Sequence, residues 1–452
     1  YGQPQYGQPQ YGQPQYGQPQ YGQPQYGQPD GQGWGPPPEG VPGWSQPVPP
    51  DKGRRRALIA ASLAIVLLAG AAISYVALRN KNDSAGAASP QSAVKSLFTD
   101  LSKSDLLGVL DHLPPAERAS LRDSFVDQVG QLKRLKVLRA QADPGKVSGI
   151  EVAAEGLTYK PNDEVINDHA RIVSVTGGKV TINSDAHKIP FTQQFLDAAF
   201  PHGLPARPET HTTDIGAQVR QLGQPVRIAV QKVSGKWYPS LVYTVVSTIA
   251  RDNGTPNPTP SDAIPATGAG SPEQAVRALV DASIKSDVPG VIGVLDPKEM
   301  AAVHDYGRQL LRRSAANGPS DVTIQDLQFT TTKVSGGVRV SLKKISLTSG
   351  GERVSVTVDG DCLQVESGGD SKRLCASELV DKYLAQRRSF TSEQRRALSD
   401  LFAALPKIGI VTTQSDGRWY VSPIRSYADV STAVLGGLRD DDLLILVKLA
   451  NK

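Results

Sequence analysis

The motifs that would name a chemistry are missing from this chain. No GxSxG, Walker-type or GxGxxG stretch stands before a helical pattern, so nucleophile-elbow, phosphate and dinucleotide chemistries have no basis in the sequence. The histidines His112, His169, His187, His202, His211 and His304 are scattered, and His, Cys and carboxylates nowhere take ligand spacing, so neither a metal nor a cofactor is expected. Aromatic residues make up 6% of the chain, and a net charge of +5 over 452 residues leaves no dense Lys/Arg stripe. Nucleic acid is therefore not an expected partner. Only two cysteines are present, Cys362 and Cys375, with no CxxC pair that would suggest redox or zinc work.

What the chain does have is a repeat. Ser89, Pro90, Ala93, Val94, Leu97, Lys103, Ser104, Asp105, Gly108, Val109, Leu113, Pro115 and Glu117 recur 182 positions later as Ser271, Pro272, Ala275, Val276, Leu279, Lys285, Ser286, Asp287, Gly290, Val291, Leu295, Pro297 and Glu299. The same offset returns in Gly235-Lys236-Trp237-Tyr238 and Gly417-Arg418-Trp419-Tyr420. Near the end of each unit Tyr243, Val246, Ser247 and Thr248 answer Tyr427, Val430, Ser431 and Thr432, here 184 apart. Two tandem copies of one domain are expected, at residues 89–250 and 271–452. The Pro/Gly/Thr-rich stretch 251–270 reads as a semi-extended linker that keeps their cores apart.

Residues 1–51 precede these copies as a Tyr-Gly-Gln-Pro-Gln repeat and its continuation, with little to bury except tyrosine. Such a tract does not offset its ordering entropy and reads as a disordered tail. Residues 57–78 then run without a charge. As a helix they measure about 33 Å, enough to cross the hydrocarbon core. Lys52, Arg54, Arg55 and Arg56 lie directly before the run and outnumber Arg79 and Lys81 after it, so the tail is expected in the cytoplasm and both copies outside. The competing reading is a cleaved secretory signal, with Ala85-Gly86-Ala87-Ala88 as its small-residue site, although the run is long and starts late for one. A third reading is a buried soluble helix.

The cysteines fit an oxidising compartment. They sit 13 apart on either side of the turn Glu366-Ser367-Gly368-Gly369-Asp370, after the alternating strand Val354, Val356, Val358. A hairpin brings such positions together, and a disulfide is the expected outcome outside the cytoplasm.

Within each copy Ser-Pro opens an apolar helical period, Ala93, Val94, Leu97 and Leu101 or Ala275, Val276, Leu279 and Val280. A short helix through Val109–Leu113 or Val291–Leu295 and a third beginning near Glu117 or Glu299 follow. Alternation then takes over, plainly in Val338, Val340 and Leu342, less regularly in Ile150, Val152, Ile172, Val180 and Ile182. Helical insertions at Phe191–Phe200 and Ser377–Leu405 precede a late hairpin whose second strand starts at Trp-Tyr. The fold class is α+β, with N-terminal helices packed on a curved antiparallel sheet in each copy. This order resembles the cone-shaped fold of the nuclear transport factor two-like superfamily. Extracytoplasmic, duplicated versions behind one span and a Pro/Gly/Gln-rich tail resemble a group of actinobacterial membrane proteins. The resemblance implies an apolar pocket between sheet and helices, used in some members for isomerase or dehydratase chemistry and in many only for binding or dimerisation. The insertions at 186–222 and 362–406 depart from the simplest pattern at the mouth of that pocket.

Acid/base work in such a pocket would pair a buried carboxylate or histidine with a tyrosine. Asp185 and Asp361 at comparable strand ends, with Tyr238 and Tyr420, are the candidates, although strand-end Asp more often serves a turn. Trp237 and Trp419 read as core anchors of the late hairpins. No catalytic residue is assigned. The basic positions Lys133, Arg134, Lys136, Arg139, Arg308, Arg312 and Arg313, with Arg387, Arg388, Arg395 and Arg396, are candidate contacts for an anionic envelope polymer, an envelope protein or lipid headgroups. The expected function is non-enzymatic binding or scaffolding in the cell envelope. The alternatives are an extracytoplasmic isomerase- or hydrolase-like enzyme, or a sensor whose tail recruits a cytoplasmic partner.

Overall fold

The structure is a computed structural model that describes residues 86–102, 106–142, 149–204, 207–314, 321–384 and 390–451. The tail 1–51, the cations Lys52, Arg54, Arg55 and Arg56, the apolar run 57–78, and Arg387 and Arg388 lie outside those residues. Among the described residues no helix is long and apolar enough to cross a membrane.

The first half reads α1 (Pro90–Leu101), α2 (Leu106–Asp111), α3 (Pro115–Arg134), β1 (Ile150–Tyr159), β2 (Glu164–Asn167), β3 (Ala170–Ser184), α4 (Gln193–Ala199), β4 (Glu209–Asp214), α5 (Ile215–Leu222), β5 (Val226–Val233), β6 (Lys236–Pro239) and α6 (Leu241–Asp252). The second half reads α7 (Pro272–Ile284), α8 (Val288–Gly293), α9 (Ala301–Asp305), α10 (Gly307–Ser314), β7 (Thr323–Val334), β8 (Gly337–Ser349), β9 (Glu352–Asp359), β10 (Cys362–Ser367), β11 (Asp370–Cys375), α11 (Ala376–Leu379), α12 (Ser392–Ala404), β12 (Gly409–Ser415), β13 (Arg418–Val421), α13 (Pro423–Gly437) and α14 (Asp442–Ala450). This is an α+β architecture of helices on two curled antiparallel sheets, consistent with a cone-like fold. The first sheet runs β1-β3-β5-β6, with β2 and β4 also on β3; the second runs β11-β10-β9-β8-β12-β13, with β7 on β8.

Local chemistry sets the same features in both halves. Ser89 Oγ accepts the Ser92 N–H and Ser271 Oγ the Gln274 N–H, each at 3.2 Å, with proline at the first helical position. The late hairpins β5–β6 and β12–β13 turn on Ser234-Gly235 (φ 48° and 82°) and Asp416-Gly417 (51° and 77°). Positive φ at both central residues is the backbone of a two-residue hairpin turn, and glycine takes its second position without strain. Upstream of each first helix a residue bridges to the hairpin tryptophan, Ala87 to Trp237 and Ala269 to Trp419. Trp237 is buried with Val94, Val173 and Val230, and Trp419 packs half-buried against the matching cluster of Val276, Val340 and Val421. The disulfide Cys362–Cys375 is present and joins directly opposed residues of β10 and β11.

Three expectations need correction. The third helix of the second half is not continuous: it breaks between α9 and α10 at Tyr306-Gly307, where a Cβ on Gly307 would stand 2.7 Å from Ile264 of the incoming linker. The closing helices keep the 182 offset and not 184, because Ser240 caps α6 and Ser422 caps α13. Tyr243 therefore matches Arg425, both buried, while Tyr427 is 82% exposed. The linker does not hold the cores apart. It is bound along its length: Asn257 donates to Glu164 and to Val165 O, Ile264 N–H to His304 O, and Thr267 N–H to Gly293 O. Both halves belong to one compact unit.

The shared unit changes what a core truncation should do. Trp237→Ala should cost about 3 to 5 kcal/mol and lower one cooperative melting transition of the whole unit, read by scanning calorimetry. A first-half transition that moves while a second stays in place would contradict the shared core. Cys362→Ser should cost about 2 to 4 kcal/mol. Free thiols at both positions by mass measurement without reductant would contradict the bridge.

Candidate functional site

Polar groups concentrate where the two halves meet. Glu117, in the first turn of α3, is 1% exposed, and Glu299, just before α9, is 2% exposed. Each carboxylate faces the N-terminus of the closing helix of its own half. Glu117 accepts from Ser240 Oγ and from the Leu241 N–H at 2.8 Å. Glu299 accepts from Ser422 Oγ and from the Ile424 N–H at 2.8 Å, one residue further along because Pro423 has no N–H to give. Free N–H groups and the helix dipole favour a carboxylate there. Ser120 of α3 then crosses between the halves and donates to Glu299 Oε2 at 2.7 Å.

Around this centre the contacts are reciprocal. Arg425 of α13 reaches across to Asp123 of α3 at 2.9 Å. At the matching positions 182 away, Tyr243 of α6 donates to Asp305 at the end of α9. Asn167 also donates to Asp305 at 2.6 Å, and His169 Nε2 lies 3.0 Å from the same carboxylate oxygen and 2.9 Å from the Tyr243 hydroxyl. Further along α3, Gln128 donates to Ala428 O and Ser431 Oγ, and Arg134 to Leu435 O and Leu438 O. Apolar packing follows the same lines. Phe125, Val129 and Leu132 of α3 share a cluster with Leu438 and Leu444 from the second half, and Tyr243 and Ala250 of α6 share one with Ala302 and Tyr306.

Burial dominates the electrostatics of the two glutamates. It pushes the Glu117 carboxyl up to about 7 against the hydrogen bonds from Ser240, Leu241 and Val242, with the charge of Glu299 adding to the rise. Burial also raises Glu299. Burial raises Asp305 as well, but the bonds from His169 and Tyr243 outweigh it and hold this acid below its usual range. The bond to Asp305 raises His169 in turn. A small polar cavity lies beside Arg425, lined also by Asp127, Ser335, Asp429 and Thr432, and the buried Arg425 Nε and Thr432 Oγ1 have no hydrogen-bond partner among the described residues.

The candidate residues named from sequence fall in separate places. Arg134 caps the carbonyl end of α13 and Lys136 pairs with Asp441 at 2.8 Å, so both serve the seam. Lys133 is half-buried on the same helix, and Arg139 donates to Phe191 O. Arg308 is exposed; Arg312 and Arg313 fall in α10, their side chains outside the described residues. Arg396 approaches Asp442 at 3.5 Å. Asp185 Oδ1 accepts the His187 N–H in a strand-end turn, and the Asp361 carbonyl accepts the Ala376 N–H. Tyr238 and Tyr420 are buried in β6 and β13. The bonds named for Asp185 and Asp361 go to neither tyrosine. Among the described residues no group of three or more His, Cys, Asp or Glu could hold a metal ion.

The seam acids Glu117, Glu299, Asp123 and Asp305 are not among the candidates named from sequence, although a signal exists. Glu117 and Glu299 are one of the matched pairs, and Asp123 and Asp305 are the same residue at the same offset. An acid repeated within a helix first reads as a solvated face. Comparison with family models, curated proteins and solved structures returned no match.

A carboxyl held above its unfolded value binds a proton that the unfolded chain releases, so stability is greatest below the unfolded pKa and falls as pH rises through the folded one. For Glu117 the window runs from 4.5 to about 7. The loss across it should be on the order of 3 kcal/mol, visible as a falling melting temperature. Glu117→Gln, which copies the protonated shape, should flatten that profile; an unchanged slope would contradict the assignment.

Proposed function

We propose that this chain is a single-pass membrane protein whose two halves, outside the cytoplasm, act as one non-enzymatic binding or scaffolding body of the cell envelope. The observation that carries the non-catalytic reading is the use of the acids at the seam. Glu117, Glu299, Asp123 and Asp305 each bond to groups of this chain, across the halves or at a helix start. Groups placed this way join the halves. The anchor rests on the uncharged run 57–78 and the four cations before it. The Cys362–Cys375 disulfide supports the oxidising side for the second half.

The same reading takes the halves as copies of one cone-like domain of the nuclear transport factor two-like type. The 182-residue offset of the Ser-Pro caps, hairpin turns, tryptophan bridges and buried glutamates supports it. An anionic envelope polymer or an envelope protein is the partner this body would hold, with Lys133 and Arg308 as its nearest candidate contacts.

A second reading, an extracytoplasmic enzyme, draws on one cluster. His169 is half-exposed and bonded to both Asp305 and Tyr243, an acid and a tyrosine around an imidazole. The readings part on His169→Gln. Binding through a locked seam predicts a lower melting temperature and retained cellular function in proportion to folded protein; enzyme action predicts lost function at an unchanged melting temperature.

Topology is tested directly in intact cells. A cysteine placed at the exposed Ser261 should react with an impermeant thiol reagent while one at Ser45 stays protected. The opposite pattern would overturn the placement of the halves. Crosslinking in the same cells, followed by identification of the attached species, should return an envelope polymer or protein.

A further inference from the structure

One face of α6 is bare and apolar. Leu241, Val245 and Ile249 are 50%, 56% and 51% exposed, and their spacing of four puts them on one side of a helix about 18 Å long. The opposite side, with Tyr243, Val246 and Ala250, packs into the seam. In the second half the matching positions on α13 are Pro423, Tyr427 and Ser431, and Gln128 of the long helix α3 bonds Ser431. The α9–α10 break denies α6 an equally long partner.

The position of this face relative to the start of the chain selects what covers it. Ala87 is paired through both backbone hydrogen bonds with Trp237, at 2.9 and 2.8 Å. Leu241 follows Trp237 by four residues, which is at most about 14 Å of chain. Leu78, the last residue of the uncharged run, precedes Ala87 by nine residues, at most about 32 Å when extended. The aliphatic face is therefore tethered within about 50 Å of the point where the chain would leave the bilayer. Lys232 and Lys236 are exposed on the hairpin beside Trp237, cations suited to anionic headgroups. In the second half the same location, at Ala269 and Trp419, is fed by the linker and not by an apolar run, and there the three-residue apolar stripe is absent.

We propose that the Leu241, Val245 and Ile249 face of α6 lies in the outer surface of the bilayer that anchors the chain, so that the body docks against lipid. This rests on the anchor reading. A helix with one aliphatic face, lying parallel to the membrane and shallowly inserted, binds by its apolar area and by attraction between cations and anionic lipid. Docking would fix the orientation of the whole two-half body relative to the membrane.

The test uses the full chain reconstituted into vesicles of phosphatidylcholine and phosphatidylglycerol. An environment-sensitive fluorophore is placed on Val245→Cys or, as control, on Tyr427→Cys; the native cysteines are bridged and do not react. The proposal expects the Val245 label to be shielded from iodide and quenched by lipids carrying a nitroxide near the headgroup, roughly twofold or more above the Tyr427 label. Adding Leu241→Ser and Ile249→Ser should bring the Val245 label down to the control. Equal iodide access at both labels, with the protein retained on alkaline-washed vesicles, overturns docking and leaves the anchor standing. Shielding that grows with protein density and shows no lipid quenching also overturns it, in favour of a second copy of this chain. Release of the protein by the alkaline wash overturns the anchor and the docking together.

Discussion

Two carboxylates withdrawn from water, Glu117 and Glu299, hold the centre of this protein. A polar group buried this deeply costs several kcal/mol unless its lone pairs are met. Here they are met by serine hydroxyls and by the free N–H groups that begin α6 and α13. The two closing helices are therefore positioned by acids that belong to α3 and to the residues before α9, and those elements are in turn set against the other half. Removing either acid would take the acceptor from the Leu241 or Ile424 N–H and from the capping serine's hydroxyl, inside the body.

The seam has the character of a two-fold interface folded into one chain. In a two-fold dimer each contact appears twice, with the partners exchanged. Asp123 with Arg425 and Asp305 with Tyr243 show that relation, since each residue of one pair lies 182 positions from its counterpart in the other. The symmetry fails where Gly307 lets the linker residue Ile264 come close and the helix breaks. On one side α3 lies along α13; on the other α6 packs against the short α9 and Tyr306, and Leu241, Val245 and Ile249 on its outer face are exposed.

Much of the fold was legible in the sequence because its signals are local. A Ser-Pro cap, a positive-φ turn at Ser234-Gly235 and the alternation of Val354, Val356 and Val358 act within a few residues, and each gave its element. The Cys362–Cys375 pairing followed from the hairpin between them. What was not legible depends on residues far apart. Tyr243 and Tyr427 look alike in sequence, yet capping by Ser240 and Ser422 sets the register and puts Arg425, not Tyr427, inside. The linker's composition suggested separation, whereas Asn257, Ile264 and Thr267 each find a backbone partner on the folded body. Arg134 and Lys136 carry the charge expected of a binding face and spend it on the end of α13 and on Asp441. Charge is visible in sequence; its partner is a property of the fold.

If the seam is what holds the halves, a covalent connection between them should be dispensable once the chain has folded. A protease site placed at the exposed Gly254 and cut in the folded protein isolates the question. The seam account predicts that the two fragments remain together at micromolar concentration, that they melt in one transition, and that its midpoint rises with protein concentration, as for any complex whose folding is coupled to association. Fragments that separate on cutting, each keeping its own sharp transition at a midpoint independent of concentration, would contradict it.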